Sequence, residues 1–233
     1  MTKFIGSRLS ALLASSVTVL VATAGVAAPA YAGGDAPAPG SAGLGDRLYP
    51  LLGNGGYDVQ DYNLRVLYPQ KDPKQTVTGT VTITAIATQN LSRLNLDFGG
   101  DSVGEVMVNG SAARFARDGD ELVITPQHYL KRGKRFLVTV SDYKSTPIEA
   151  NADSPAGFVT TVDGTFMAGQ PNQSHNYFPS NDHPRDMATY TITLTAPAGW
   201  TAVANGRHLG DKSRGGGGAE KKIREEFFHR RGF

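Results

Sequence analysis

Residues Thr76–Thr88 read TVTGTVTITAIAT, and this stretch decides the fold class. Val77, Gly79, Val81, Ile83 and Ala85 fall on one face and the threonines on the other. That strict period of two is the signature of a half-buried β-strand, apolar inward and hydroxyl outward.

Working outward, the same period recurs. Upstream, Tyr62, Leu64 and Val66 alternate with Asn63, Arg65 and Leu67 until Pro69–Pro73 stops the run. Downstream, Leu94, Leu96 and Phe98 make another strand, and Val106–Val108 runs into Asn109-Gly110, a dipeptide favoured in two-residue hairpins. Asp118-Gly119 precedes Glu121–Thr125, and Arg132-Gly133-Lys134 precedes Arg135–Tyr143, where Phe136, Val138 and Val140 share a face. Phe158–Val162 and Thr165–Met167 flank Asp163-Gly164 as a further hairpin. Ala188–Ala196 is a long strand, and Trp200–Ala204 leads to Asn205-Gly206, which calls for a returning strand. No segment before the tail has helical periodicity or caps. The expected fold is all-β, an antiparallel sandwich or saddle of roughly ten strands.

The rest of the composition sets the context. The chain has 233 residues, enough for one large domain or two small ones. Its formal charge of +2 belongs to its ends, because Gly33–Gly210 carries 14 basic against 17 acidic residues, which argues against a nucleic-acid partner. Cysteine is absent, so disulfides, thiolate metal sites, cysteine nucleophiles and lipobox lipidation are excluded. Residues 1–32 read as a signal peptide: Lys3 and Arg8, an apolar run over Leu9–Ala28, then Ala30-Tyr31-Ala32 as a small-x-small cleavage site. The run is weakly hydrophobic, so cleavage rather than membrane anchoring is expected, and the mature protein is expected to be secreted and extracellular. Residues 33–46 read as a disordered Gly/Pro/Ala/Ser linker, with order beginning near Tyr57. Residues 47–210 then form the β-domain. The tail, 211–233, holds four consecutive glycines and an alternating charged run. It reads as disordered or as shifted-frame sequence in place of the returning strand; the alternative is a flexible linker and a short helix over Ala219–Phe228.

The densest polar, aromatic and turn chemistry lies in Gly169–Gly206. There Tyr177-Phe178-Pro179-Ser180-Asn181-Asp182-His183-Pro184 sets two prolines and an Asx residue around a tight bend. Together with Gly56–Leu64, Thr78–Val81, Leu94–Phe98, Val106–Gly110 and ATYTITLTAPAGWTAVANG, this bend resembles the N-terminal domain of M1-family zinc aminopeptidases, in particular secreted actinobacterial forms. The resemblance covers about residues 47–209 in the family's order. It departs from the family at Ser180, where cysteine is common, and at His183, where an acidic residue is common. The HExxH and GxMEN segments are absent from the sequence, so the chain is expected to be a fragment truncated before the catalytic domain and inactive by itself.

What the resemblance implies is a β-domain that lines the substrate cleft of an enzyme releasing N-terminal residues from peptides. Zinc is the cofactor of the complete enzyme, with none expected in this chain. Counting back from Phe178, the resemblance puts the residue that helps hold the peptide's free amino terminus at Gln170. An acceptor oxygen beside an α-ammonium makes a charge-assisted hydrogen bond that an N-blocked peptide cannot make. The expected partner is therefore the peptide N-terminus once a catalytic domain is joined, with no nucleic acid and no membrane anchor after leader cleavage.

Other constellations carry less. His128, His175, His183, His208 and His229 lack the paired helical spacing of a zinc site, and a His175/His183 pair reads as turn or surface histidines. Ser174, His175 and Asp182 supply triad residue types without a nucleophile elbow. Asp118–Glu121 reads as a hairpin turn rather than a calcium loop, and Gly215–Gly218 lacks a phosphate-loop Lys or Thr. The alternative function is a stand-alone secreted β-sandwich binding module that engages its partner through Tyr177 and Phe178.

Overall fold

The structure, a computed structural model, describes residues 36–69, 74–149, 157–162, 164–169, 172–214 and 218–225. The leader expected over 1–32 and the carried-over Gln170 lie outside the described residues. In chain order the described strands are β1 (Ala38–Pro39), β2 (Tyr57–Leu67), β3 (Val77–Ala87), β4 (Leu91–Asp97), β5 (Glu105–Val108), β6 (Ser111–Ala112), β7 (Arg114–Asp118) and β8 (Glu121–Thr125). They continue with β9 (Arg135–Ser145), β10 (Ile148–Glu149), β11 (Gly157–Thr161), β12 (Gly164–Ala168), β13 (Thr189–Ala196), β14 (Arg207–Arg214) and β15 (Gly218–Glu225). A 3-10 turn over Ser174–Asn176 is the one helical element among the described residues.

The strands form an eight-stranded sheet in the order β14-β15-β13-β2-β3-β9-β5-β6, a four-stranded sheet β1-β4-β8-β7, and a three-stranded sheet β10-β11-β12. β3 alternates as its sequence dictates, with Val77, Val81, Ile83, Ala85 and Ala87 buried and the threonines half-buried on the other face. Leu64, Ile83, Val138 and Val140 of the large sheet share one core with Leu94, Leu96, Leu122 and Ile124 of the four-stranded sheet. Each such side chain contributes about 1.5–3 kcal/mol when fully buried.

Two hairpins form where the sequence puts them. Asn109 and Gly110 both have positive φ, 51° and 77°, the geometry a primed hairpin turn requires between β5 and β6. β11 and β12 pair antiparallel across the Asp163-Gly164 position.

The sheets are mixed rather than all antiparallel, since β13 runs parallel to β2, β1 parallel to β4 and β10 parallel to β11. Within β2 the inward face switches from Tyr57 and Val59 to Tyr62, Leu64 and Val66. A bulge between Val59 and Asp61 causes the switch by leaving one extra residue on this strand.

Two expected disordered stretches contain pairing strands. In the linker expected over 33–46, Ala38–Pro39 pairs with β4, and Gly40 donates its N–H to Arg93 O at 2.8 Å. Order therefore begins upstream of Tyr57, and Asn54 is completely buried. Gly40 is a contact glycine: a Cβ there would lie 2.4 Å from Gly55 O. In the tail, β14 is the returning strand that follows Asn205-Gly206, and Gly218–Glu225 is a strand rather than part of a helix. β15 inserts between β14 and β13, placing Ile223 opposite Ile192. Backbone pairing with β13 supplies what the apolar pattern lacks there.

Candidate functional site

The bend from Tyr177 to Pro184 is bridged to the edge of β4 through Ser180. Ser180 forms a two-way bridge with Asp97, Asp97 N donating to Ser180 O at 2.7 Å and Ser180 N to Asp97 O at 3.0 Å. On β4, Leu94 and Leu96 face the core while Asn95 and Asp97, on the opposite parity, are also buried. The second face of the strand is thus covered by polar segments.

Tyr177 and Phe178 point inward. Phe178 meets Tyr62 edge-on at 5.8 Å and Tyr190 at 6.4 Å, and Tyr62 stacks on Tyr190 at 4.8 Å. Tyr177 packs on Phe158 at 4.8 Å, and its hydroxyl bonds that of Tyr68 at 2.9 Å. These rings are core, not the contact surface of a binding module, because the prolines and the Asx turn direct the polar residues of the bend toward β4 instead.

Those polar residues form a buried network. Asn54 N donates to Asn181 Oδ1 at 2.5 Å, and Asn54 Nδ2 donates to Asp97 Oδ2 at 3.1 Å. Asp182 N donates to the same Asp97 oxygen at 2.8 Å, and Asn181 N donates to the Tyr62 hydroxyl at 2.9 Å. Asp186 accepts from Asn181 Nδ2 and from Val59 N, the latter at 3.1 Å, tying the end of the bend to β2. Burial raises the carboxyl of Asp97 to about 6, and that of Asp186 to about 7. Glu121, at the start of β8, is raised to about 7 by burial and then by the charge of Asp97.

His175 is joined to the network through Asp182. Its backbone N–H donates to Asp182 Oδ2 at 3.1 Å and its ring Nδ1 lies 2.5 Å from the same oxygen. Burial opposes the charged ring, but the bond to Asp182 and the charges of Asp182, Asp97 and Asp120 outweigh it and raise the imidazole above its ordinary value. Gly99 N donates to His175 O at 2.8 Å. A Cβ on Gly99 would sit 2.5 Å from Asn176 Oδ1 and 3.2 Å from His175 Cδ2, so the Asn176 and His175 side chains would have to shift to admit any larger residue. Gly99→Ala is expected to destabilise the domain by about 1–3 kcal/mol through overpacking. Urea unfolding monitored by circular dichroism measures it, and an unchanged midpoint would contradict this packing.

The other sequence candidates separate. His183 Nδ1 accepts from Arg185 N at 3.1 Å, and its Nε2 is 4.0 Å from Asp46 Oδ2. His128 is exposed, His208 pairs with Asp211 at 2.8 Å on an exposed strand, and His229 lies outside the described residues. Ser174 contributes its carbonyl, which accepts from Tyr177 N and Phe178 N, so the Ser174/His175/Asp182 set acts as a turn and its clamp. Asn54, Asp97 and Asp186 are the residues that sequence reading missed. The signal for Asp97 is present in LNLDF, where polar residues occupy the parity between the leucines.

Among the described residues, no three His, Asp or Glu side chains are placed to share a metal ion.

No family model and no curated protein matches the chain. Solved structures do. An M1 zinc metallopeptidase from Deinococcus radiodurans is 28% identical with a TM-score of 0.71, covering 79% of this chain and 42% of its own. A variant of that enzyme bound to a Tyr-Ser-Ala substrate is 30% identical with a TM-score of 0.70, covering 78% of this chain and 42% of its own. Legionella pneumophila aminopeptidase A in complex with aspartic acid shares the fold at 17% identity and a TM-score of 0.61, over 73% of this chain and 20% of its own. The chain thus spans less than half the length of these proteins.

Proposed function

We propose that this chain, which carries the N-terminal β-domain of the M1 zinc metallopeptidases, is the substrate-lining domain of a secreted aminopeptidase that releases N-terminal residues from peptides. The observation that carries the reading is 28–30% identity over 78–79% of the chain at TM-scores of 0.69–0.71. Secretion is supported by the leader pattern of residues 1–32. Hydrolysis is assigned to a zinc-bearing domain, as in the zinc metallopeptidases that the chain resembles, because HExxH is absent from the sequence. The 233 residues alone are therefore expected to leave peptides intact.

The contribution of the β-domain is recognition. Gln170 is assigned to it through the family resemblance of the bend, its side-chain oxygen accepting a hydrogen bond from the α-ammonium of the peptide. An exposed apolar area supports docking of a second domain. Val162 is fully exposed at the tip of the β11–β12 hairpin, Phe166 is partly exposed beside it, and the Trp200 ring lies 3.3 Å from the Cβ position of Gly164.

The test is a chimera in which this chain replaces the corresponding part of the Deinococcus enzyme. It is expected to cleave Tyr-Ser-Ala, and Gln170→Ala in the chimera is expected to lower kcat/KM for the unblocked peptide about 10- to 100-fold, as for loss of a hydrogen bond to a charged group. N-acetylated peptide should be affected far less. Equal loss on both peptides would remove the assigned role of Gln170, and a folded but inactive chimera would count against the domain assignment.

A further inference from the structure

We propose that Asn54, Asn95, Asp97 and Glu121 form a binding site for a hard divalent cation of the calcium class, set between β4, β8 and the segment before β2. The inference is independent of the amine-recognition reading.

Strand register builds the site. β4 and β8 pair antiparallel with Leu96 opposite Leu122 in the core and Asp97 opposite Glu121 on the other face. Residues so paired have Cβ atoms about 4.5–5.5 Å apart, and like charges directly opposite one another destabilise a sheet. Asn95 lies two residues before Asp97 on the same strand and so shares its face. Asn54 reaches that face from the segment before β2, its Nδ2 donating to Asp97 Oδ2 at 3.1 Å. Both carboxamides stand beside the Glu121 carboxylate. Glu121 thus enters through the register of β8 and not through a calcium loop.

What these groups lack is positive charge. Asn54 is completely buried, and Asn95 and Asp97 are each 4% exposed. Asn54 Oδ1, Asn95 Oδ1 and Glu121 Oε2 are buried without a hydrogen-bond partner among the described residues. All three are acceptors, and each left unpaired carries its full desolvation cost. Turning the Asn54 carboxamide over gives no relief, since Oδ1 would then face Asp97 Oδ2, acceptor against acceptor. Among the described residues no ion pair joins Asp97 or Glu121 to a Lys or Arg. Arg117, on the strand beside β8, directs its donors to the carbonyls of Phe98, Gly100 and Gly119. The His175 ring is bonded to Asp182.

The donor set selects the ion. Two carboxylates and two carboxamide oxygens, without thiolate or imidazole, suit a hard cation rather than zinc. Calcium takes six to eight oxygens in irregular arrangements, so four protein groups and water complete its shell. Magnesium demands a near-ideal octahedron, which side chains placed by strand register and by the Asn54–Asp97 bond do not readily supply. Glu121 is only partly buried, which opens the site to solvent at the start of β8. Two charged ligands place the Kd at about 0.1–1 mM.

The experiment is a calcium titration of the chelator-stripped full chain at pH 8, read by calorimetry, by thermal unfolding and by NMR of the Asn54 and Asn95 side-chain amides. Calcium at about 10 mM is expected to raise Tm by about 3 °C or more. Both amides should shift with the calorimetric midpoint. Glu121→Gln is expected to weaken calcium binding at least about tenfold while leaving the calcium-free chain as stable or more so, because one of two facing charges is gone. Asn95→Asp has the opposite signs, tightening calcium about tenfold and lowering the calcium-free midpoint. Glu105→Gln, at an exposed position of β5, should change neither. Unfolding and amide resonances indifferent to calcium overturn the inference. So does a calcium response that Glu121→Gln and Asn95→Asp leave unchanged, which would place the ion elsewhere. An equal response to magnesium overturns the choice of calcium. If Asn95→Asp does not fold, Glu121→Gln and the amide resonances still decide.

Discussion

Phe178→Ala is expected to destabilise the domain by about 3–5 kcal/mol, the range for removing a buried phenylalanine ring that its surroundings cannot replace. The ring is 6% exposed and sits at the junction of the bend and the large sheet, edge-on to Tyr62 and Tyr190 and next to Tyr177. Tyr62 in turn is buried and accepts from Asn181 N, so the cavity would open between the aromatic core and the polar network. Neither side relaxes easily, because the strand carrying Tyr62 is paired on both edges. Urea unfolding of Phe178→Ala and, as a control, of Tyr129→Ala separates the two meanings an aromatic residue in a loop can have. Tyr129 is 45% exposed and its loss should stay within about 0.5 kcal/mol. A Phe178→Ala cost below about 1 kcal/mol would contradict the core placement and return the ring to the surface, where a binding module would need it.

The contrast bears on what the sequence can tell. Thr76–Thr88 is legible because one face is buried and the other is not, so polarity alternates with the pleat. β4 is half legible: the leucines declare the core, but Asn95 and Asp97 look like an exposed face and are instead buried, with Asn54 and Asp182 bonded to the Asp97 carboxylate. Single-strand periodicity carries no information about what covers the second face. The bulge in β2 hides for a related reason, since alternation on either side of Gln60 is intact and only its phase changes. The stretch before Tyr57 has the composition of a linker, yet its glycines permit close backbone approach, and β1 gains order through hydrogen bonds to β4 that no side-chain pattern advertises. β15 is similar: the charged run around Ile223 has no strand signature, and its place comes from pairing with β13. As for the site, the resemblance pointed to the bend, whereas the network that holds the bend draws on Asn54, Asp97 and Asp186, which become neighbours only through the topology.

That network should make the domain more stable in mild acid than at alkaline pH. The carboxyls of Asp97 and Asp186 rise from an ordinary 3.8 to about 6 and about 7, and that of Glu121 from 4.5 to about 7, in each case first because burial disfavours the charged form. A folded-state value above the unfolded one means that the native state binds the proton more tightly. The stabilisation is then fully present below about pH 4 and is lost as pH rises through 6 to 7. His175 has the same sign, since its folded-state value also lies above the ordinary 6.5. At 1.36 kcal/mol per unit, Asp97 corresponds to about 3 kcal/mol and Asp186 to about 4 kcal/mol, with a smaller share from the half-exposed Glu121. The shared hydrogen bonds keep these shares from adding in full. Asp186→Asn tests the linkage directly, because it keeps one acceptor toward Asn181 or Val59 and removes the charge. Relative to the unmodified chain the variant should fare better near pH 8 than near pH 5, giving a flatter profile of urea midpoint against pH. A midpoint that rises between pH 5 and pH 8 in the unmodified chain, or a slope that Asp186→Asn leaves unchanged, would mean that these carboxyls reach water and that the bend is held by its aromatic side alone.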